Sequence, residues 1–378
     1  MAVVLFVMKY PLHRQENLQA KFDGQMAAVR KLGNEVFCIG WDKEGMWLVG
    51  EKKRELLRRN RWTNMPGYEH TKIFTDLMAA VRKVLATRKI DLLYLRYMPT
   101  FERAAETMRA LKKQGGKLII EFPTYPRKKE NQRSWIRRPV FFYTDWVLRR
   151  IHPMVDLYTV IGEDCGGTLD GKPAVNIVNG IDVDSVPLHV PNEKKKAVHL
   201  LALASMAEWH GYDRMLRALA GYRGEEEVYL HLVGADGDGS LAVWTALAAE
   251  LDIMSKVCFH GARYGDELNQ IVADCDVGVG CLGVFRRGNF QILSLKLREY
   301  MARGIPFVYA EEDPVIPDDS RFSLRVENSE APIDMAAVVA FANRVKAAAE
   351  VPALMRAYAR EHMSWTGIMA GVLERVGL

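Results

Sequence analysis

Short apolar runs alternate with amphipathic helical stretches along nearly the whole chain, and the alternation starts afresh after one interruption. In the first half the runs fall at 3–8, 35–40, 92–97, 117–122, 157–162 and 174–179. In the second they fall at 198–205, 228–234, 256–261, 276–282 and 306–310. Helical spacing separates them, as in 23–33, 100–115, 211–222 and 241–253, and 333–378 reads as mostly helical. Strands that alternate with helices build parallel α/β sheets covered on both faces. The interruption, "DVDSVPLHVPNEKKKAV" at 182–198, has two prolines, a lysine triplet and no apolar period, and reads as a linker. The expected organisation is a domain over 1–184, a linker over 185–197, a second domain over 198–352 and C-terminal helices over 353–378. A length of 378 residues suits two such cores.

Charge separates the two halves. Residues 1–160 hold 31 Lys and Arg against 16 Asp and Glu, a net of +15. The remainder holds 52−31 = 21 basic and 47−16 = 31 acidic residues, a net of −10. Opposite signs predict different partners for the two domains. The five cysteines form no CxxC and no evident cluster with histidine, so buried reduced thiols are expected and no metal site. No apolar run nears the ~20 residues that cross a bilayer, and "MAVVLFVMKYP" reads as a first strand and not a signal peptide.

Chemistry is expected where loops leave the carboxyl ends of the strands. In "SLKLREYMARGIPFV" (294–308), Ser294 is placed to cap a helix whose first N–H groups lie near Leu295 and Lys296, a ready anion site. Glu299, one turn further in, suits the hydroxyls of a ribose. The alternative is that Lys296, Arg298 and Glu299 form a solvated charged face. "GVFRRGNF" (283–290) offers Arg286 and Arg287 as a diphosphate clamp, of which at least one is expected at the surface. "SMAEWHGYDR" (205–214) sets His210 at a helix entrance, against the commoner structural histidine. "LVGADGDG" (232–239) fails the GxGxxG spacing and reads as a plain strand–helix turn. In "EFPTYPRKKE" (121–130), Glu121 is an acid/base or sugar-hydroxyl candidate beside Tyr125 and Arg127, with packing against a nearby arginine as the alternative. Residues 127–150 interleave eight basic residues with Trp135, Phe141, Phe142, Tyr143 and Trp146, which suits an anionic membrane surface or a core with solvated charges. No nucleic-acid motif accompanies the patch, and no GxSxG, HExxH or Walker A sequence occurs.

The tandem α/β layout, "NGID" (179–182), "WHGYDR" (209–214), the "EFPTYP" loop (121–126) and "SLKLREYMARGIP" (294–306) together resemble family 4 glycosyltransferases of bacterial capsule and exopolysaccharide synthesis. The resemblance spans nearly the whole chain. It implies a GT-B fold, two Rossmann-like domains facing a central cleft, and a retaining transfer from a UDP- or GDP-sugar with no further cofactor and no metal. By it, Ser205, Arg286, Arg287, Ser294, Leu295, Lys296 and Glu299 would hold the donor. Glu121, His210 and Gln291 would serve the reaction, and Arg96, Tyr125 and Arg127 the acceptor, a glycan or polyprenyl-diphosphate-linked sugar. Gln291 stands where the family's paired-glutamate pattern has its first glutamate, and Ser205 and His210 stand where it has arginine and lysine. Two other readings share the fold: a catalytically silent scaffold subunit, and a sugar-nucleotide epimerase or phosphorylase. The glycosyltransferase reading places the protein in the cytoplasm, against the inner face of the membrane.

Overall fold

The computed structural model describes residues 1–378 except 14–17, 61, 63–64, 66, 69–71, 99–102, 127–137, 191–195, 289–291 and 318–319; the side chains of 138–141 are also left aside. The chain divides into two units, residues 1–178 with 365–378, and residues 179–364.

The first unit is built on a nine-stranded sheet. Its strands are β1 (Val3–Val7), β2 (Glu35–Trp41), β3 (Gly45–Val49), β4 (Arg54–Arg59), β5 (Leu92–Arg96), β6 (Lys117–Tyr125), β7 (Leu157–Gly162), β8 (Thr168–Leu169) and β9 (Lys172–Asn176). The order is β4-β3-β2-β1-β5-β6-β7-β9-β8. β3, β4 and β8 pair antiparallel at the ends, and the rest is parallel. Helices α1 (Gln19–Lys31), α2 (Lys72–Thr87), α3 (Ala104–Lys113) and α4 (Arg138–Ile151) complete the alternation. The sequence pattern did not reveal β3 and β4: "RELLRR" is a basic edge strand with one buried side chain, Leu57, and so has no apolar run.

The second unit has six parallel strands, β10 (Val198–Leu203), β11 (Val228–Val233), β12 (Val257–Gly261), β13 (Val277–Val279), β14 (Phe307–Tyr309) and β15 (Ser323–Arg325). Their order is β12-β11-β10-β13-β14-β15. One face packs on α5 (Tyr212–Gly221), α6 (Ser240–Glu250) and α9 (Met335–Lys346), the other on α7 (Gly265–Ala273), α8 (Leu295–Arg303) and α10 (Val351–His362). α10 therefore packs with the second unit, while α11 (Trp365–Glu374) lies against α1 of the first, where the Gly24 backbone leaves room for Trp365. Because β10 has β11 on one side and β13 on the other, the strand order reverses there. The loops after β10 and β13 open at the kind of switch point where ligands bind in α/β sheets. Both units have the doubly wound α/β architecture that the alternation predicts.

Candidate functional site

At the switch point of the second unit the loop after β10 meets the loop after β13. Gly211 makes this possible: its φ is +68°, and a Cβ there would lie 2.5 Å from the Gly283 nitrogen. The His210 carbonyl accepts from Leu282 N–H at 2.8 Å, closing the contact. A third loop, after β14, delivers Glu311, which accepts from Cys281 N–H and the Ser294 hydroxyl, both at 2.8 Å. Ser294 therefore does not cap α8 with its side chain as expected; its hydroxyl is turned to Glu311, and the helix start carries no side-chain cap. Among the described residues, that leaves the first N–H groups of α8 without a side-chain cap from Ser294.

Lys296 and Arg298 are buried, which removes the solvated-face alternative. The two charges have different tasks. Arg298 is wholly buried, makes a two-pronged pair with Asp313 at 2.6 and 3.0 Å, and donates to the Asn179 carbonyl at 2.8 Å. Asn179 in turn donates to the Leu293 carbonyl at 2.6 Å. This chain positions the approach to α8. Lys296 donates to the Tyr212 hydroxyl at 2.9 Å, with its ammonium 6.0 Å from the Trp209 ring centre. Glu299 accepts both Arg303 contacts, 2.9 Å each, on Oε1. Its Oε2 has no partner among the described residues, and the carboxylate stays partly exposed.

His210 is buried with Nδ1 3.1 Å from both the N–H and the carbonyl of Ala207, and its ring stacks on Tyr212. Burial above all, then the charges of Lys296 and Arg287, push its pKa down to about 2, so the imidazole is neutral. The two arginines separate. Arg286 is taken up by Asp213 and Glu330, four contacts of 2.8 Å, and its pKa is raised first by these hydrogen bonds, so its guanidinium already has two carboxylate partners. Arg287 is exposed and lies 4.9 Å over the Trp209 ring, with no carboxylate partner among the described residues. Ser205 is exposed at the end of β10, its hydroxyl close to Gly237 of the glycine-rich turn. Trp209, Tyr212 and Glu311 were not singled out from sequence. Gln291 lies outside the described residues.

In the first unit, Glu121 sits on β6, wholly buried. It accepts from Lys21 at 3.0 Å, Gln25 at 2.7 Å, Tyr94 at 2.7 Å and Arg96 at 2.6 Å. Burial alone would raise its pKa, but Lys21 and Arg96 outweigh it and hold the carboxyl at about 2. A buried, ionised carboxylate with four donors suits the packing alternative. Arg96 is bound into this cluster and Tyr125 is half-buried nearby in sequence at the end of β6. Arg127 lies outside the described residues. The expectation that cysteine and histidine form no cluster needs correction: β11 and β12 bring His231, Cys258 and His260 within 4.8 Å of one another. Their juxtaposition, H-L-V beside C-F-H across paired strands, was visible only once the pairing was known.

Residues 197–346 match the family model of glycosyl transferases group 1. Among curated proteins no relative matches. Among solved structures, the chain is similar to sucrose-phosphate synthase from Thermosynechococcus elongatus (13% identity, 100% of this chain and 99% of that one, TM-score 0.71). It is also similar to Anabaena HepE solved in complex with UDP (15%, 100% and 99%, TM-score 0.62). A third is WaaG, a glycosyltransferase involved in lipopolysaccharide biosynthesis (16%, 99% and 100%, TM-score 0.54). At such identities the likeness speaks for the fold. The chain thus has the GT-B fold, and its residues 197–346 are similar to the glycosyl transferases group 1 family.

Proposed function

We propose that the protein is a retaining glycosyltransferase that moves a sugar from a UDP- or GDP-sugar to a lipid-linked or oligosaccharide acceptor in bacterial surface polysaccharide synthesis. One observation carries this reading: Lys296, Arg287 and the uncapped start of α8 converge with neutral His210 on the switch point of the second unit. Two full positive charges and a helix N-terminus suit a diphosphate. Glu299 Oε2, one turn along α8, is free to accept ribose hydroxyls. UDP complexes of HepE support a nucleotide-sugar donor.

In this reading the bond from the anomeric carbon to the diphosphate oxygen breaks as the acceptor oxygen bonds from the same face. The acceptor proton passes to the departing diphosphate. Lys296, Arg287 and the α8 dipole stabilise the negative charge that grows there, which is the main catalytic term. No metal is needed for that charge balance. The first unit would take the acceptor, and its basic aromatic helix α4 an anionic membrane surface.

Calorimetry with UDP, GDP and dTDP tests the reading. One nucleotide should bind, and Lys296→Ala should weaken it at least tenfold, with Glu299→Ala losing affinity for the ribonucleotide over its 2′-deoxy form. Binding indifferent to Lys296→Ala would overturn the site. A wild type that binds none of them favours the silent scaffold, the reading motivated by Gln291.

A further inference from the structure

The edge of the second sheet carries a row of nitrogen and sulfur ligands that the sugar-transfer reading does not use. His199 Nδ1 on β10 lies 3.0 Å from His231 Nε2 on β11, and His231 Nδ1 lies 3.0 Å from His260 Nε2 on β12. Cys258 pairs directly with His231 in the parallel register, so both side chains leave the same face. Regular pairing would continue from Phe259 to His260. Instead the register shifts between Leu232 and Val233, and Val233 pairs with Gly261, which leaves His260 as the extra residue of a bulge. A bulge re-aims a side chain at the expense of the ladder. Here it turns His260 onto the row with His231 and Cys258, whose ligand atoms all fall within 4.8 Å.

The geometry points to a binding site for a borderline divalent transition ion, of which Zn²⁺ is the type, held by His231 Nδ1, Cys258 Sγ and His260 Nε2. Two nitrogens bound at 2.0–2.1 Å to a tetrahedral ion stand roughly 3.3 Å apart, and a thiolate binds at about 2.3 Å. The 3.0 Å between the two imidazoles is close to that before any adjustment. Two imidazoles and a thiolate select zinc, cobalt or copper over magnesium or calcium. Binding converts the Cys258 thiol to thiolate and releases its proton to solvent. With Nδ1 on the ion, the other nitrogen of His231 carries hydrogen and donates to His199, an outer contact that sets the ring's orientation. All five side chains of this surface, Tyr229 stacked on His199 included, are half-buried, so solvent reaches the ion and fills its fourth position.

Co²⁺ titration of the reduced, chelator-treated full chain tests this without any donor sugar. One equivalent should bind with a thiolate-to-cobalt charge-transfer band and visible bands of a tetrahedral ion, and Zn²⁺ should displace it. Cys258→Ser should abolish the charge-transfer band, His231→Gln and His260→Gln should weaken binding at least tenfold, and His199→Gln should cost roughly tenfold. Zn²⁺ should raise the melting temperature of the wild type and not of Cys258→Ser. No charge-transfer band in the folded wild type overturns the proposal, as does a band that survives in Cys258→Ser. Should Cys258→Ser melt before use, Cys258→Ala and the wild-type spectrum still decide it. Nucleotide calorimetry is a separate readout, so the two readings stand or fall independently.

Discussion

His210 lies out of water between Trp209 and Tyr212, and burial with Lys296 and Arg287 close by holds its pKa at about 2. The unfolded chain takes up that proton near the usual imidazole value of about 6.5. Between these values the unfolded state binds more protons than the folded one, so the stability contributed by neutral His210 is present above about pH 6.5 and lost as pH falls. Each pH unit below it removes up to about 1.4 kcal/mol. Urea unfolding at pH 7, 6 and 5 should show a shallower loss for His210→Gln than for the wild type; parallel curves would mean that the ring titrates freely. Glu121 presents the same logic with the sign of its charge reversed. Its carboxyl sits at about 2, so its contribution holds above about pH 4.5 and fades as pH falls toward 2. Burial lowers Lys21 to about 8 against the pull of Glu121, which still leaves the ammonium charged at neutral pH. Lys21→Met leaves the carboxylate with Arg96 as its one cation and should destabilise by about 3 kcal/mol, the range for a buried pair broken on one side. Adding Glu121→Gln should recover part of the loss in a double-mutant cycle. If Glu121→Gln added its own full loss instead, the pair would not be coupled.

The loop from β10 to α5 is where one missing side chain holds two elements together. With φ at +68° and the Gly283 nitrogen 2.5 Å from any Cβ, Gly211→Ala strains the backbone and pushes the β13 loop away. We expect a loss of about 1–3 kcal/mol in stability, and nucleotide affinity should fall more than tenfold because Trp209, His210 and Arg287 shift together. Undiminished nucleotide binding in a folded Gly211→Ala would mean that this loop does not carry the site. The alternation of runs made most strands legible, because buried parallel strands need continuous apolar residues. It missed β4, whose charges face solvent, and β15, whose three residues "SLR" carry no period at all. Within the candidate site, the helix start at Leu295 was legible because helix starts and turns have fixed spacing. The partners of Arg286 were not: Asp213 and Glu330 come from α5 and from the loop before α9, far away in sequence. The surroundings of Glu121 were not legible for the same reason, since the donors to its carboxylate come from α1 and β5. Chemistry written in local spacing can be read early; chemistry written in who faces whom needs the fold.

At the scale of the molecule, the asymmetry of charge asks for an anionic partner on one side of the chain, with +15 over residues 1–160 against −10 beyond. Helix α4 narrows the request. Phe142 is 78% exposed, Tyr143 and Trp146 are also at the surface, and Arg150 stacks over Trp146 at 3.7 Å. Arg149 and Arg150 follow at the next turn, so aromatic and basic groups share one helical face. Apolar rings that fail to bury themselves in water are stable at a headgroup boundary, where the flanking cations meet lipid phosphates. No described helix is long and apolar enough to cross a bilayer. Each Lys or Arg contributes about 1 kcal/mol at an anionic surface. Reversing Arg149 and Arg150 to Glu therefore removes at least about 2 kcal/mol, roughly 30-fold in partition. Phe142→Ser removes the ring that would sit deepest. Sedimentation with phosphatidylglycerol vesicles should show the triple variant losing binding, the wild type losing it as salt rises, and neither binding pure phosphatidylcholine. Nucleotide affinity should be unchanged in the same variant, since none of the three residues belongs to the second unit. A triple variant that sediments with vesicles as the wild type does would strip α4 of this role and return the charge asymmetry to the acceptor alone.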